Sequence, residues 1–216
     1  MMPRIKICCI RSKVEAKMAI DYGASALGLV GNMPSGPGVI NDSTIAEVAA
    51  SVPPPISTFL LTSETEADSI ISHHNNTYTN TIQLVDEVSP ESHKTIRAAL
   101  PAIKLVQVVH VLEDHSIEYA LQAAETADAL LLDSGNPQGK IKILGGTGKT
   151  HNWSLSRNIV DQVNIPVFLA GGLNADNIQR ALETVQPFGV DLCSSVRTDG
   201  HLDEEKLSQF MKSCGL

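Results

Sequence analysis

A few short stretches of the 216-residue chain carry side chains able to do chemistry. Asp133 closes the apolar run "ALLLD". A carboxyl at the end of a buried strand is poorly solvated, which raises its pKa and suits a general acid. The same residue could instead bond the amides of Ser134 and Gly135 in an Asx-turn, and both readings stand. Gly171 and Gly172 separate the run "PVFLA" from a helical pattern, and Ser194 and Ser195 follow the run "GVDLC". Adjacent glycines let a ligand reach bare backbone, and amides at a helix start donate to an anion, so these two stretches together read as a phosphate cup to which both serines add hydroxyls. Taken singly, each pair is also an ordinary turn or cap. Cys8 lies in "KICCI", where a cysteine ordinarily packs. Strand alternation puts Cys8 and Cys9 on opposite sides, leaving one free to face a pocket. His110 reads as a hydrogen-bonded strand-end histidine, and Met33 and Trp153 read as packing.

These residues need elements to hold them. Eight short apolar or β-branched runs recur along the chain: 4–10, 26–30, 56–61, 81–85, 103–111, 127–133, 166–170 and 189–194. Most are continuously apolar, as expected of parallel strands covered on both faces. Amphipathic stretches alternate with them. Ala16, Ala19 and Ile20 share one side of the first, which stops at Gly23. The second takes its N-cap from Asn41, Asp42 or Ser43 and turns Ile45, Val48 and Ala49 inward. Ser63 and Glu66 have capping-box spacing for the third, Ser89 and Pro90 open the fourth, Asn174 caps the seventh and Asp203 opens the eighth. Eight strand-then-helix units predict a single (β/α)8 TIM barrel spanning 1–216, near the lower size limit of that fold, with an open doubly wound sheet as competitor. In the barrel the strand C-termini form the active face, and the loops after strands 7 and 8 often hold phosphate. Every residue named above as a candidate sits at such an end. The longest irregular stretch, 134–152, is rich in glycine and could close over a ligand.

Composition narrows the classes. The net charge is −8, with no block of like charges, so a nucleic-acid partner is not expected. No apolar run is long enough to span a membrane, and the N-terminus does not read as a signal peptide. Four cysteines, two adjacent and none in a CxxC pattern, fit a reducing cytoplasm better than a disulfide framework, and the histidines show no zinc-ligand spacing with them.

Taken together, the stretches resemble the phosphoribosylanthranilate isomerase family of tryptophan biosynthesis, almost end to end. "KICCI" is similar to the family's K-I-C-G-I/L, "DYGASALGLV" to its G-A-D/S-x-x-G-x-V/I, "IQLV" to V-Q-L-H-G and "LLLDS" to the strand bearing its catalytic Asp. "GGTGKTHNWSL" is close to G-G-T/S-G-x-x-F-D-W, the most specific piece, while "LAGGLNADNI" and "PFGVDLCSSV" resemble A-G-G-L-x-P-x-N-V and P-x-G-V-D-V-S-S-G-V. The resemblance implies an Amadori rearrangement of a phosphoribosyl aminoaldose to an aminoketose, with no metal or organic cofactor. It makes Cys8 the general base and Asp133 the general acid, seats the phosphate on Gly171, Gly172, Ser194 and Ser195, and puts Gln83 and Gly146 against substrate.

The departures cluster at the substrate end. The glycine after the catalytic Cys is Cys9 here, and "PSGPGVI" (34–40) lacks the arginine that pairs with the anthranilate carboxylate. V-Q-L-H-G has become "IQLVDEV", and S-G-V-E has become "SSVR". Two hypotheses follow: Arg11 or Arg197 replaces the lost clamp, or the protein handles a phosphosugar with another aglycone. A non-catalytic phosphosugar-binding relative is the third. Monomer and homodimer are both compatible with the sequence.

Overall fold

The computed structural model describes residues 3–34, 36–113, 115–135 and 150–216. Eight parallel strands close into a barrel: β1 (Arg4–Ile7), β2 (Ala26–Val30), β3 (Ser57–Thr62), β4 (Thr81–Leu84), β5 (Lys104–His110), β6 (Ala129–Asp133), β7 (Val167–Leu169) and β8 (Gly189–Leu192). Each precedes a helix: α1 (Lys13–Asp21), α2 (Asp42–Ser51), α3 (Ala67–Asn75), α4 (Pro90–Ala99), α5 (His115–Ala124), α6 (Trp153–Gln162), α7 (Ile178–Val185) and α8 (Glu204–Ser213). The expected TIM barrel is therefore observed. Between β8 and α8 lie two features absent from the sequence reading, a 3-10 turn over Ser194–Val196 and a two-stranded ribbon, β9 (Arg197–Thr198) with β10 (His201–Leu202).

Period-2 alternation explains why the runs look uniformly apolar. In β6, Leu130 and Leu132 join the layer between strands and helices, while Ala129 and Leu131 point into the barrel. In β1, Ile5 and Ile7 face the helices. The seam closes by pairing β1 with β8, which sets Lys6 opposite Asp191 and Ile7 opposite Leu192. The β5–β6 register sets His110 opposite Asp133.

Most helix signals behave as read. Asn41 caps α2 through the Thr44 amide, Ser89 caps α4 with Pro90 in the first turn, Asp203 caps α8, and Gly23 follows α1 at φ 98°. Two do not. Ser63 and Glu66 form no capping box, since α3 starts only at Ala67 and Glu66 gives it no side-chain cap bond. Thr62 Oγ1 instead accepts the Glu64 amide, and this local turn delays the helix. Asn174 does not cap α7, which begins at Ile178. It accepts the amides of Asp176 and Asn177, while Asn177 Nδ2 donates to Gly172 O. The asparagines thus order the turn leaving the glycine pair.

Candidate active site

β1 ends at Ile7 rather than running to residue 10, because Cys9 adopts a left-handed backbone at φ 63°. Alternation stops there. Cys8 and Cys9 consequently both line one cavity, not opposite sides of a strand. The Cys8 amide still donates to Leu192 O at 2.7 Å, extending the seam by one bond. Cys193 also lines the cavity and packs against the same barrel-interior cluster as Cys9.

The cavity occupies the strand C-termini. Its wall brings together Cys8 after β1, Gln83 of β4, Asp133 of β6, Gly171 and Gly172 after β7, and Ser194 and Ser195 after β8. Both glycines have positive φ, 80° and 62°, which only glycine adopts cheaply. A Cβ on Gly171 would come within 2.9 Å of Ser134 Oγ, so packing as well as backbone conformation requires a bare position. Ser195 Oγ and Gln83 Oε1 are buried polar atoms without a hydrogen-bond partner, and unmatched polar atoms on a cavity wall are ready for a ligand. Met33 packs against the barrel interior at the rim, and Trp153 packs against the helix layer under the Arg180 guanidinium. His110 donates through Nε2 to Val85 O, as a strand-end histidine should.

Burial controls the electrostatics. The Asp133 carboxyl is pushed up by desolvation, against the Ser134 amide at 2.7 Å, His110 and Lys6. The turn reading and the acid reading of this residue are therefore compatible, since one oxygen holds the amide while the carboxyl borders the cavity. Burial pushes the Cys8 thiol up to about 11, opposed chiefly by Lys6. Lys6 itself is fully buried. Burial works against its charge, but Asp191 Oδ2 at 2.9 Å and Cys8 outweigh that and keep the ammonium.

Three expected substrate contacts fare differently from Gln83. Arg197 does not line the cavity. Arg197 is buried, at 8% exposure, and its guanidinium donates to both Glu15 carboxylate oxygens and to the carbonyls of Cys8, Cys9 and Gly200. It is a clasp for the end of β1, because a guanidinium so committed has no fork left for a ligand carboxylate. Arg11 is exposed beside the same region and does not line the cavity either. Among the described residues no cationic side chain lines it; Gly36 and Pro37 occupy the rim after β2. Gly146 lies outside the described residues. Sequence reasoning missed Lys6, Asp191 and Glu15. The first two carried a signal: each is a charged residue inside an apolar strand, and Lys6 shares the parity of Cys8.

The comparisons agree with this geometry. A family profile described as N-(5'phosphoribosyl)anthranilate (PRA) isomerase matches residues 5–213. An N-(5'-phosphoribosyl)anthranilate isomerase of Halorubrum lacusprofundi is 33% identical over 216 residues, covering 99% of this chain and 97% of the relative. One of Nostoc punctiforme is 34% identical over 216 residues and 98% of each chain. The solved phosphoribosyl anthranilate isomerase of Thermotoga maritima superposes with a TM-score of 0.85 at 29% identity, covering 100% of both chains. A phosphoribosyl anthranilate isomerase solved with reduced 1-(o-carboxyphenylamino)-1-deoxyribulose 5-phosphate superposes at 0.82 with 27% identity, again over 100% of both. A barrel of this topology, matched over its whole length in sequence and in space, belongs to the N-(5'-phosphoribosyl)anthranilate isomerase family.

Proposed function

We propose that this protein is a phosphoribosylanthranilate isomerase working by general acid-base catalysis. The observation that carries the reading is the convergence of Cys8, Asp133, the glycine pair and Ser194–Ser195 on one cavity. The sugar phosphate rests on the amides around Gly171 and Gly172 and on the hydroxyls of Ser194 and Ser195, where positive φ and an unmatched hydroxyl leave donors facing the ligand.

Burial raises the Asp133 carboxyl and so favours its protonated form, and the acid gives that proton to the furanose ring oxygen. The C1–O bond breaks and a protonated Schiff base forms. Cys8 as thiolate then removes the C2 proton, the electron pair moves to C1 as an enolamine, and tautomerisation yields the ketone. The rearrangement is redox-neutral and moves only protons, so two side chains of suitable protonation supply all its chemistry, without a metal or organic cofactor. The buried Gln83 oxygen accepts a hydrogen bond from the substrate. Free cysteines suit a reducing cytoplasm, and no helix among the described residues is long and apolar enough to cross a membrane. The Thermotoga maritima relative is described as dimeric and has been solved as monomers generated from that dimer, so this chain is compatible with either state.

The test is growth of a tryptophan auxotroph lacking this isomerase, with purified-enzyme turnover of phosphoribosylanthranilate alongside. The wild-type chain restores growth, and Cys8→Ala and Asp133→Asn each lower kcat about 10²–10⁴-fold. Unimpaired turnover in either variant refutes the assignment.

A further inference from the structure

Beneath the cavity, on the inward face of β1, the Lys6 ammonium is completely buried and meets Asp191 across the barrel seam at 2.9 Å. Asp191 Oδ1 is buried without a hydrogen-bond partner. A buried ion pair that leaves polar atoms unmatched is a poor source of stability, so its presence asks for another reason. Gly28 indicates one. A Cβ there would lie 2.7 Å from Cys8 Sγ and 3.1 Å from Lys6 Nζ. Thiol and ammonium thus flank one small gap that a glycine in the middle of β2 keeps open.

We propose that Lys6 and Asp191 together set the ionisation of Cys8, the ammonium favouring the thiolate and the carboxylate competing for the ammonium. Lys6 is then a positioning residue for charge, acting through Cys8 rather than on substrate. The inference rests on Cys8 being the catalytic base. Among the described residues, Arg197 from the segment after β8 also acts on the thiol but is already committed to Glu15, and Asp133 from β6, Cys9 and Cys193 share the cavity wall with it. In a dry site a charge so close acts with little screening, and the opposing effects of Lys6 and Asp191 on the thiol agree with the geometry.

The two members of the pair should therefore act with opposite sign, which a merely structural pair would not do. Cys8 ionisation is read from thiolate ultraviolet absorbance against pH, subtracting the same background carrying Cys8→Ser, so no turnover is needed. Asp191→Asn moves ionisation to lower pH, giving about tenfold more thiolate at a given pH, and Lys6→Met moves it higher by about tenfold. Lys6→Met also lowers kcat with KM little changed, and kcat recovers as pH rises. Shifts of the same sign, or shifts under about twofold in both, overturn the proposal. If Lys6→Met fails to fold, Asp191→Asn decides alone, and an unchanged or higher titration overturns it. A fully active Cys8→Ala would defeat the isomerase assignment of Cys8 while leaving the opposite titration shifts to be observed, so the two failures are distinct.

Discussion

Two buried ion pairs sit a few residues apart in this barrel and are built differently. At the rim, Arg197 and Glu15 are densely bonded: the guanidinium reaches the carboxylate and three carbonyls through its two terminal nitrogens, with Nε unmatched, and the carboxylate also accepts the amides of Arg11 and Leu202. In the lumen, Lys6 and Asp191 share one short contact and leave an oxygen unmatched beside the cavity. The rim pair knots together the end of β1, the start of α1 and the β9–β10 ribbon. The lumen pair holds charge next to a thiol. The two pairs differ in the number of bonds each makes, many at the rim and one short contact in the lumen, and a sparsely bonded buried pair is the weaker source of stability.

The largest expected effect tests that contrast directly. Arg197→Met, which strands the Glu15 carboxylate and three carbonyls, lowers unfolding free energy by about 3–5 kcal/mol in urea melts. The double variant Lys6→Met/Asp191→Leu, which removes both lumen charges at once, loses no more than about 1 kcal/mol. Equal losses would erase the distinction. Next in size, Gly28→Ala crowds the Cys8 thiol, its backbone and the ammonium, lowers kcat about 100-fold in steady-state assays through displacement of Cys8, and costs about 1–3 kcal/mol in the melt by overpacking. A Gly28→Ala enzyme of normal kcat would show that the gap between Cys8 and Lys6 does not matter.

A third, partly exposed cluster supplies a control outside both regions. Burial alone would raise the Asp128 carboxyl, but the Leu105 amide, Arg97 and Lys104 outweigh it and hold its pKa below the ordinary value. A lowered folded-state pKa means that its stabilisation is present above the usual carboxylate range and is lost as pH falls through the folded value. Asp128→Asn therefore costs roughly 1–2 kcal/mol at neutral pH, and the difference from wild type shrinks in acid melts. The smallest effect is a gain. Cys9→Gly relieves a side chain at φ 63° and raises stability by about 1 kcal/mol, seen as a higher urea midpoint.

Cys9 also shows where sequence reading stops. Alternation along "KICCI" is sound while the chain stays extended, yet one left-handed residue ends β1 early and brings both cysteines to the cavity. Lys6 and Asp191 were readable as charges inside apolar strands, but nothing local says that residues 185 positions apart are neighbours. Arg197 looked like a replacement clamp because its motif lies beside the phosphate loop. A ribbon of four residues, too short to leave a pattern, turns it toward Glu15.

What the sequence alone determined is the repeat of buried strand and amphipathic helix, and hence which strand ends hold Cys8, Asp133, the glycine pair and the two serines. Those follow from local periodicity and turn chemistry, which act over a few residues. Only tertiary structure decided which charges meet, because barrel closure sets β1 against β8 and so chooses Asp191 for Lys6. Pairing across that seam depends on register, burial and the space left by a single glycine, and none of these is written in any one segment.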